Sequence, residues 1–476
     1  MPQNKFKHVL IISCMVLILS GCSIFGTNLL IYTQDAPQLN HYKLLDDGDF
    51  FLAVAVSGGG SRSAVWSAAV FRELFEQVKL PDGRSILDEI DYISCVSGGS
   101  VSSAYYCINK PDVDTTHEEE YNLFFEEYLK DMRSNIEAAI FYRPLNWYRI
   151  FLEPPEKAFF LKWHFEKEFF GTTTFDELYR KQARDLCPTL IVNTTHMDSG
   201  AKFLFTTIPP DDFRITPEEE AEGFEYFMDT GILRSNILFE EGILETLFCR
   251  DIGVDIGEIE VSRAVVASSS VPLVFGPLLI EDKTRSTPEA PVYVHLSDGG
   301  IGDTLGLETL MELAMRRFAL DDCPYSKGMI IIIDANQRID PTDTEGIIRA
   351  FGLDGIIERT RVVYAYRGKT LAYYAIMFVQ GDPRYKDISF VYISPYLVED
   401  RQLINLIDES PYPKSSMPPE LEDIVSNFKA TPTRFKIDRE LADSIELAAE
   451  IVVGQVKEMI LDNYLDGCGT NGDDTR

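Results

Sequence analysis

The 476-residue chain predicts an α/β fold, with a largely parallel central sheet covered by helices on both faces. Three observations carry that prediction. Continuous apolar runs of strand length recur along the chain, as in Phe50-Phe51-Leu52-Ala53-Val54-Ala55-Val56. Strands buried on both faces read this way, whereas half-exposed ones alternate. Stretches of helical spacing separate the runs, and strand–helix alternation builds parallel sheets. Finally, two runs end abruptly in glycine, at Ser57-Gly58-Gly59-Gly60-Ser61-Arg62 and at Cys95-Val96-Ser97-Gly98-Gly99, with helical character directly after each.

Residues 50–56 form the first buried strand, and the glycines stop it. Ala64, Val65, Ala68, Phe71, Phe75 and Val78 then recur at helical spacing. Pro81-Asp82-Gly83 makes a turn, and 92–96 is the next strand. Further strands are expected at 188–192, 201–206, 259–266, 329–334 and 388–393, with helices between them. A strand-like run also leads into Asp298-Gly299-Gly300. Residues 111–180 stand apart through their aromatics, among them Phe124, Phe125, Tyr128, Phe141, Tyr142, Trp147, Tyr148, Phe151, Phe159, Phe160, Trp163, Phe165, Phe169 and Phe170, with Pro154-Pro155 in the middle. They read either as a helical, aromatic-rich cap over a site or as helices whose aromatic stripe packs on the sheet. Residues 340–476 belong to the same domain or form a separate lobe.

The N-terminus carries an address. Lys5, Lys7 and His8 precede an apolar run from Val9 to Leu19. That run is shorter than the roughly 20 apolar residues a membrane span needs and fits the core of a signal peptide. It ends in Leu19-Ser20-Gly21-Cys22, which resembles the lipobox of bacterial lipoproteins. The resemblance implies cleavage before Cys22 and a diacylglycerol on its thiol, giving a signal peptide at 1–22, a polar tether at 23–45 and a globular body at 46–476. The alternative is an ordinary signal peptide with a nearby cysteine. Multiple acyl chains on one residue anchor stably, whereas a single chain does not. Ser23 is the residue type that permits sorting to the outer membrane, so the expected location is the bacterial cell envelope.

Lys and Arg number 44 against 76 Asp and Glu, a net charge of −32. Nucleic acid is excluded as a partner, because counterion-driven binding needs clustered cations. The charge opposes adsorption to anionic lipid and favours solubility. Cys95, Cys107, Cys187, Cys249, Cys323 and Cys468 are too sparse for a disulfide scaffold, and neither Cys-x-x-Cys nor clustered histidine marks a metal site. No cofactor is called for.

The two glycine turns carry complementary chemistry. Gly58, Gly59 and Gly60 let backbone N–H groups approach an anion unobstructed. The loop lacks the Gly-Lys-Ser/Thr ending of a phosphate-binding P-loop and the spacing of a dinucleotide fingerprint. Arg62 either braces this loop or meets a charged headgroup. Ser97 sits at a strand-to-helix turn, where the helix N-terminus favours developing negative charge. A nucleophilic serine needs a base. The serine–acid–histidine order of α/β-hydrolases ends in a histidine and none follows His295, which weighs against a protease or amidase. Asp298 can serve instead, in a Ser-Asp dyad; by itself Asp298-Gly299 also reads as a simple turn.

Ser57 to Arg62, Ser97-Gly98-Gly99, Ala267-Ser268-Ser269-Ser270-Val271-Pro272-Leu273-Val274-Phe275 and Asp298-Gly299-Gly300 together resemble the ordered motifs of patatin-like phospholipases. Asp303-Thr304-Leu305-Gly306-Leu307 and Thr431-Pro432-Thr433-Arg434-Phe435 add to the likeness, which covers nearly all of the chain after the signal. Cys95 stands where the family has a glycine in the elbow, and Ser63 where glycine follows the arginine. The resemblance implies a three-layer α/β/α fold, Ser97 as nucleophile, Asp298 as base, and Gly58, Gly59 and Gly60 as oxyanion donors. It implies hydrolysis of acyl esters in phospholipids, lysophospholipids or neutral lipids. The alternative is a non-catalytic lipid-binding envelope lipoprotein on the same fold.

Overall fold

The computed structural model describes residues 30–31, 39–45, 48–136, 157–214, 246–271, 276–318, 323–336, most of 368–395, and 436–468. The signal segment with Cys22, the aromatics Phe141, Tyr142, Trp147, Tyr148 and Phe151, and the motif stretches 272–275 and 431–435 lie outside these residues.

The strands are β1 (Leu30–Ile31), β2 (Phe50–Val56), β3 (Tyr92–Val96), β4 (Thr189–His196), β5 (Lys202–Phe205), β6 (Leu247–Phe248), β7 (Leu278–Glu281), β8 (Tyr293–Asp298), β9 (Lys327–Ile333) and β10 (Ile388–Ile393). They join one sheet in the order β1-β7-β8-β4-β3-β2-β9-β10, with β5 on β4 and β6 on β5. The helices are α1 (Ser61–Gln77), α2 (Gly98–Asn109), α3 (Glu118–Met132), α4 (Lys157–Phe165), α5 (Phe175–Gln182), α6 (Val261–Ser268), α7 (Leu307–Phe318) and α8 (Arg439–Cys468).

The centre of the sheet is parallel, β10-β9-β2-β3-β4, and β2 is buried along its whole length. Successive residues of a strand face opposite sides, and β2 shows what covers each. Phe50 packs edge-on against Tyr464 of α8, ring centroids 5.2 Å apart. Its neighbour Phe51 meets Phe318 of α7 at 6.2 Å. This is the three-layer α/β/α arrangement. Strand β10 and helix α8, both from the 340–476 portion, pair and pack within this same sheet and core.

One strand expectation is overturned. Residues 259–266 were expected to be extended, yet 261–268 form helix α6. Nearly every residue of α6 is buried, including Val261, Ala264, Val265, Val266 and Ala267. A helix covered all round shows no polar face, so its short apolar run cannot be told from a buried strand by periodicity. Another difference lies in the 23–45 stretch. Leu30–Ile31 pairs in parallel with β7, and Asn40 donates its amide to Asp255 Oδ2 at 3.1 Å, so parts of the stretch read as a tether join the fold.

The described aromatic helices are mostly core. On α3, Tyr121, Phe124, Phe125 and Tyr128 lie at helical spacing and all are buried. They stack on the neighbouring helices, Tyr121 on Phe75 of α1 at 5.3 Å and Tyr128 on Tyr105 of α2 at 4.9 Å. Phe165, Phe169 and Phe170 pack on one another. By contrast, Phe159 and Trp163 of α4 are 45% and 37% exposed. Replacing Phe125 by Ala is therefore expected to lower stability by about 3–5 kcal/mol, while Phe159→Ala stays within about 0.5 kcal/mol. Urea-unfolding midpoints measure both, and equal losses would contradict this packing.

A partly buried ionic cluster links β5 to α7. Lys202 of β5 contacts Glu312 at 2.5 Å and Glu308 at 3.9 Å, both on α7. Asp303 is buried and caps α7, its carboxylate accepting from the amides of Leu305, Gly306 and Glu308. Desolvation, reinforced by the Asp303 charge, pushes the Glu308 carboxyl from its ordinary 4.5 up to about 7. The folded chain thus holds that proton more tightly than the unfolded chain. The resulting stability is complete below about pH 4.5 and is lost as pH rises through about 7. Glu308→Gln should make the fall in melting temperature between about pH 5 and 7 shallower; an unchanged slope would remove Glu308 as its source.

Candidate active site

The site forms where strands meet end to end. Strand β3 pairs with β4 up to Val96↔Asn193, and β8 pairs antiparallel with β4 from Thr194↔Asp298 onward. Strand β5 occupies the opposite edge of β4 along this stretch, partnering both Asn193 and Thr194. Strands β3 and β8 therefore share one edge of β4 and run toward each other, abutting between Asn193 and Thr194. Ser97 and Asp298, 201 residues apart in sequence, are the residues at that junction.

The Ser97 hydroxyl donates to Asp298 Oδ2 at 2.9 Å. The other carboxylate oxygen, Oδ1, accepts the Gly300 amide at 2.8 Å, which fixes the carboxylate plane. Ser97 and Asp298 are 2% and 5% exposed. Ser97 has φ 51° and ψ −122°, a region that a non-glycine residue holds only when its surroundings over-determine it. It is the N-cap of α2, whose first turn carries no acidic residue. The helix dipole there favours an anion.

Close approach explains two of the glycines. A Cβ on Gly98 would lie 2.0 Å from the carbonyl oxygen of Gly60, so the turn after Ser97 touches the glycine loop directly. A Cβ on Gly299 would lie 2.3 Å from the Asn193 oxygen, which is how the end of β8 seats against β4.

The 58–60 loop comes from the end of β2 and opens α1. The Gly58 amide is already committed, donating to the Thr304 carbonyl at 3.0 Å. An amide bonded in this way is not available to an oxyanion, which leaves Gly59 and Gly60 of the three expected donors. Ser57 anchors the loop, its amide donating to Ile333 and its hydroxyl accepting the Ala335 amide at 2.8 Å. Arg62 is buried and donates Nε–H to the Ala335 carbonyl at 2.9 Å, tying α1 to the end of β9.

The two departures from the family pattern find local partners. The Ser63 hydroxyl donates to the Ser57 carbonyl at 2.5 Å. Cys95 is fully buried, and its thiol donates to the Ile191 carbonyl at 3.3 Å. Burial pushes that thiol well above its ordinary range.

His196 and His295 lie at the far end of the β4–β8 pairing and both engage Asp198, at 3.3 and 3.0 Å. Burial holds His196 below its ordinary value. Among the described residues, no group of three or more His, Cys, Asp or Glu side chains is placed to hold a metal ion. No helix among them is long and apolar enough to cross a membrane.

Sequence reasoning passed over Asn193 and Ser268. The Ser97 amide donates to Ser268 Oγ at 2.8 Å, and that hydroxyl donates to the Asn193 carbonyl at 2.7 Å. Ser268 lies within the 267–275 motif, but nothing local assigns it a partner.

Two solved structures illustrate the likeness to known proteins. Human GIVD cytosolic phospholipase A2 is 11% identical, with a TM-score of 0.45 over 87% of this chain and 59% of that one. The same human protein in complex with methyl gamma-linolenyl fluorophosphonate inhibitor and terbium chloride gives 10% identity and a TM-score of 0.42, over 89% and 61%. The chain thus spans about three fifths of the length of these structures. No curated protein matches it. The sequence profile of the family described as patatin-like phospholipase, in contrast, matches residues 54–311, a span that runs from within β2 into α7 and takes in Ser97 and Asp298. The chain belongs to the patatin-like phospholipase family.

Proposed function

We propose that the protein is a serine lipid acyl hydrolase of phospholipase A or lysophospholipase type. The observation that carries the proposal is the 2.9 Å hydrogen bond from Ser97 to Asp298 at the N-terminus of α2. Family membership supports the reaction class.

In the proposed mechanism Ser97 Oγ attacks the ester carbonyl carbon while Asp298 Oδ2 accepts its proton. Negative charge develops on the carbonyl oxygen. It is met by the amides of Gly59 and Gly60 and by the N-terminal dipoles of α1 and α2, which need no reorganisation as charge appears. Collapse of the tetrahedral intermediate breaks the ester C–O bond, and Asp298 returns the proton to the leaving alcohol. Water then attacks the acyl-serine, giving its proton to Asp298. The second tetrahedral intermediate expels Ser97, which is reprotonated, and a fatty acid leaves. An exposed carboxylate is a poor base toward serine. The junction compensates by burying the pair and orienting one lone pair at the hydroxyl.

We further propose that the chain acts at the bacterial envelope, held there by acyl chains on Cys22. The apolar run ending at Leu19-Ser20-Gly21-Cys22 supports this part. A phospholipid or other lipid ester would then be supplied by the membrane to which the enzyme is tied.

Ser97→Ala and Asp298→Asn are each expected to lower turnover of a lipid or short-chain ester by more than about a thousandfold with the fold retained, because a base and its nucleophile act as one unit. His196→Ala and His295→Ala should cost less than about tenfold, below what a general base supplies. Near-normal activity in Asp298→Asn, or loss confined to a histidine variant, would overturn the dyad. Cys22→Ala is expected to move the protein from the membrane to the soluble fraction on cell fractionation. Unchanged membrane partition in that variant would remove the anchor.

A further inference from the structure

The amide of a nucleophile in a strained turn needs a partner, and the sheet does not supply one at the junction. Where β3 leaves β4, the Ser268 hydroxyl lies between the Ser97 amide and the Asn193 carbonyl, at 2.8 and 2.7 Å. It acts as an inserted rung. A hydroxyl accepts and donates at once, so it satisfies both backbone groups, which neither a methyl group nor a bare cavity does. Ser268 is fully buried and ends α6, which packs on β4 and β8.

Two residues on, the same segment holds the other reacting residue. The Ser270 carbonyl accepts the Asp298 amide at 3.0 Å and the Ser297 hydroxyl at 2.8 Å. The Ser270 hydroxyl is itself tied back to Val266 at 2.7 Å. Residues 268–270 therefore clamp the main chains of Ser97 and Asp298 at once, from the C-terminal end of α6 and the residues just after it.

We infer that Ser268 is a positioning residue for the dyad: its hydroxyl fixes the Ser97 amide, and thereby the direction of Ser97 Oγ toward Asp298. The inference rests on the reading of Ser97 as nucleophile. Ser268 touches no reacting atom. Its effect runs through backbone direction, and a misplacement of about 1 Å at a reacting centre costs about a hundredfold in rate.

The test uses the purified full chain and a fluorophosphonate ester probe, with the modified residue identified by mass spectrometry and ester hydrolysis measured in parallel. Ser268→Ala should slow modification of Ser97 about a hundredfold and lower kcat with KM within about twofold, since only alignment is lost. Ser268→Thr and Ser268→Val add nearly the same bulk, and only threonine keeps the hydroxyl. Threonine should restore most of the rate that valine does not. That comparison holds even where the alanine variant folds poorly, and melting temperatures of all three report the structural contribution separately. Modification at the native rate in Ser268→Ala, or equal impairment in the threonine and valine variants, overturns the inference alone. A native chain that the probe does not modify at Ser97 overturns the nucleophile assignment, and this inference with it.

Discussion

The site depends on two strands meeting end to end on one edge of β4. Strand β3 arrives from one direction and β8 from the other, and the ladder changes hands between Asn193 and Thr194. Because the strands run toward each other, the residues at their ends approach without a loop having to carry either one inward. Ser97 and Asp298 come into hydrogen-bond contact from two rigid elements, which hold a geometry better than loops do. The chemistry proposed for the pair draws on that rigidity, since a carboxylate acting on serine without an intervening histidine relies on alignment.

Such a junction has a cost. Both ladders lose partners where they break, and a non-glycine residue at φ 51° stores strain on the order of 1–3 kcal/mol. Small hydroxyls relieve the unpaired backbone. Ser268 bridges Ser97 to Asn193, and Ser63 reaches the Ser57 carbonyl. Asn193 completes the set with its side chain, donating to Ser94 and Cys95 and accepting from Thr309. Each leaves fewer buried polar groups unsatisfied, and an unsatisfied one costs about 1–3 kcal/mol.

The same economy explains why Ser63 and Cys95 are compatible with the fold although the family pattern has glycine at both places. Ser63 adds a hydroxyl that finds a carbonyl of its own loop. Cys95 is a small buried side chain on β3 whose thiol meets the β4 backbone, and burial keeps it protonated and inert. The aromatic helices follow a different rule. Their stripe at helical spacing is satisfied by stacking on α1 and α2, so the described rings of α3 are structural rather than exposed to a ligand.

Local sequence determined what local physics controls. Strands 50–56, 92–96 and 388–393 were legible as continuous apolar runs, the helix after the glycine loop as a repeating apolar stripe, and Ser97 as a serine at a strand-to-helix turn. The order of motifs was enough to point to the family and to the residue types of the proposed dyad. Tertiary structure alone decided the rest. Helix α6 reads as a strand because its surroundings bury it all round, and burial is not a local property. The Gly58 amide was indistinguishable from those of Gly59 and Gly60 until Thr304, far along the chain, occupied it. Ser268 has no local signature for its role either, because its two partners lie 171 and 75 residues away and become neighbours only when β3 and β8 close on β4. Composition and periodicity encode what a segment can bury; which hydrogen-bonding groups are left to face each other is settled only by packing.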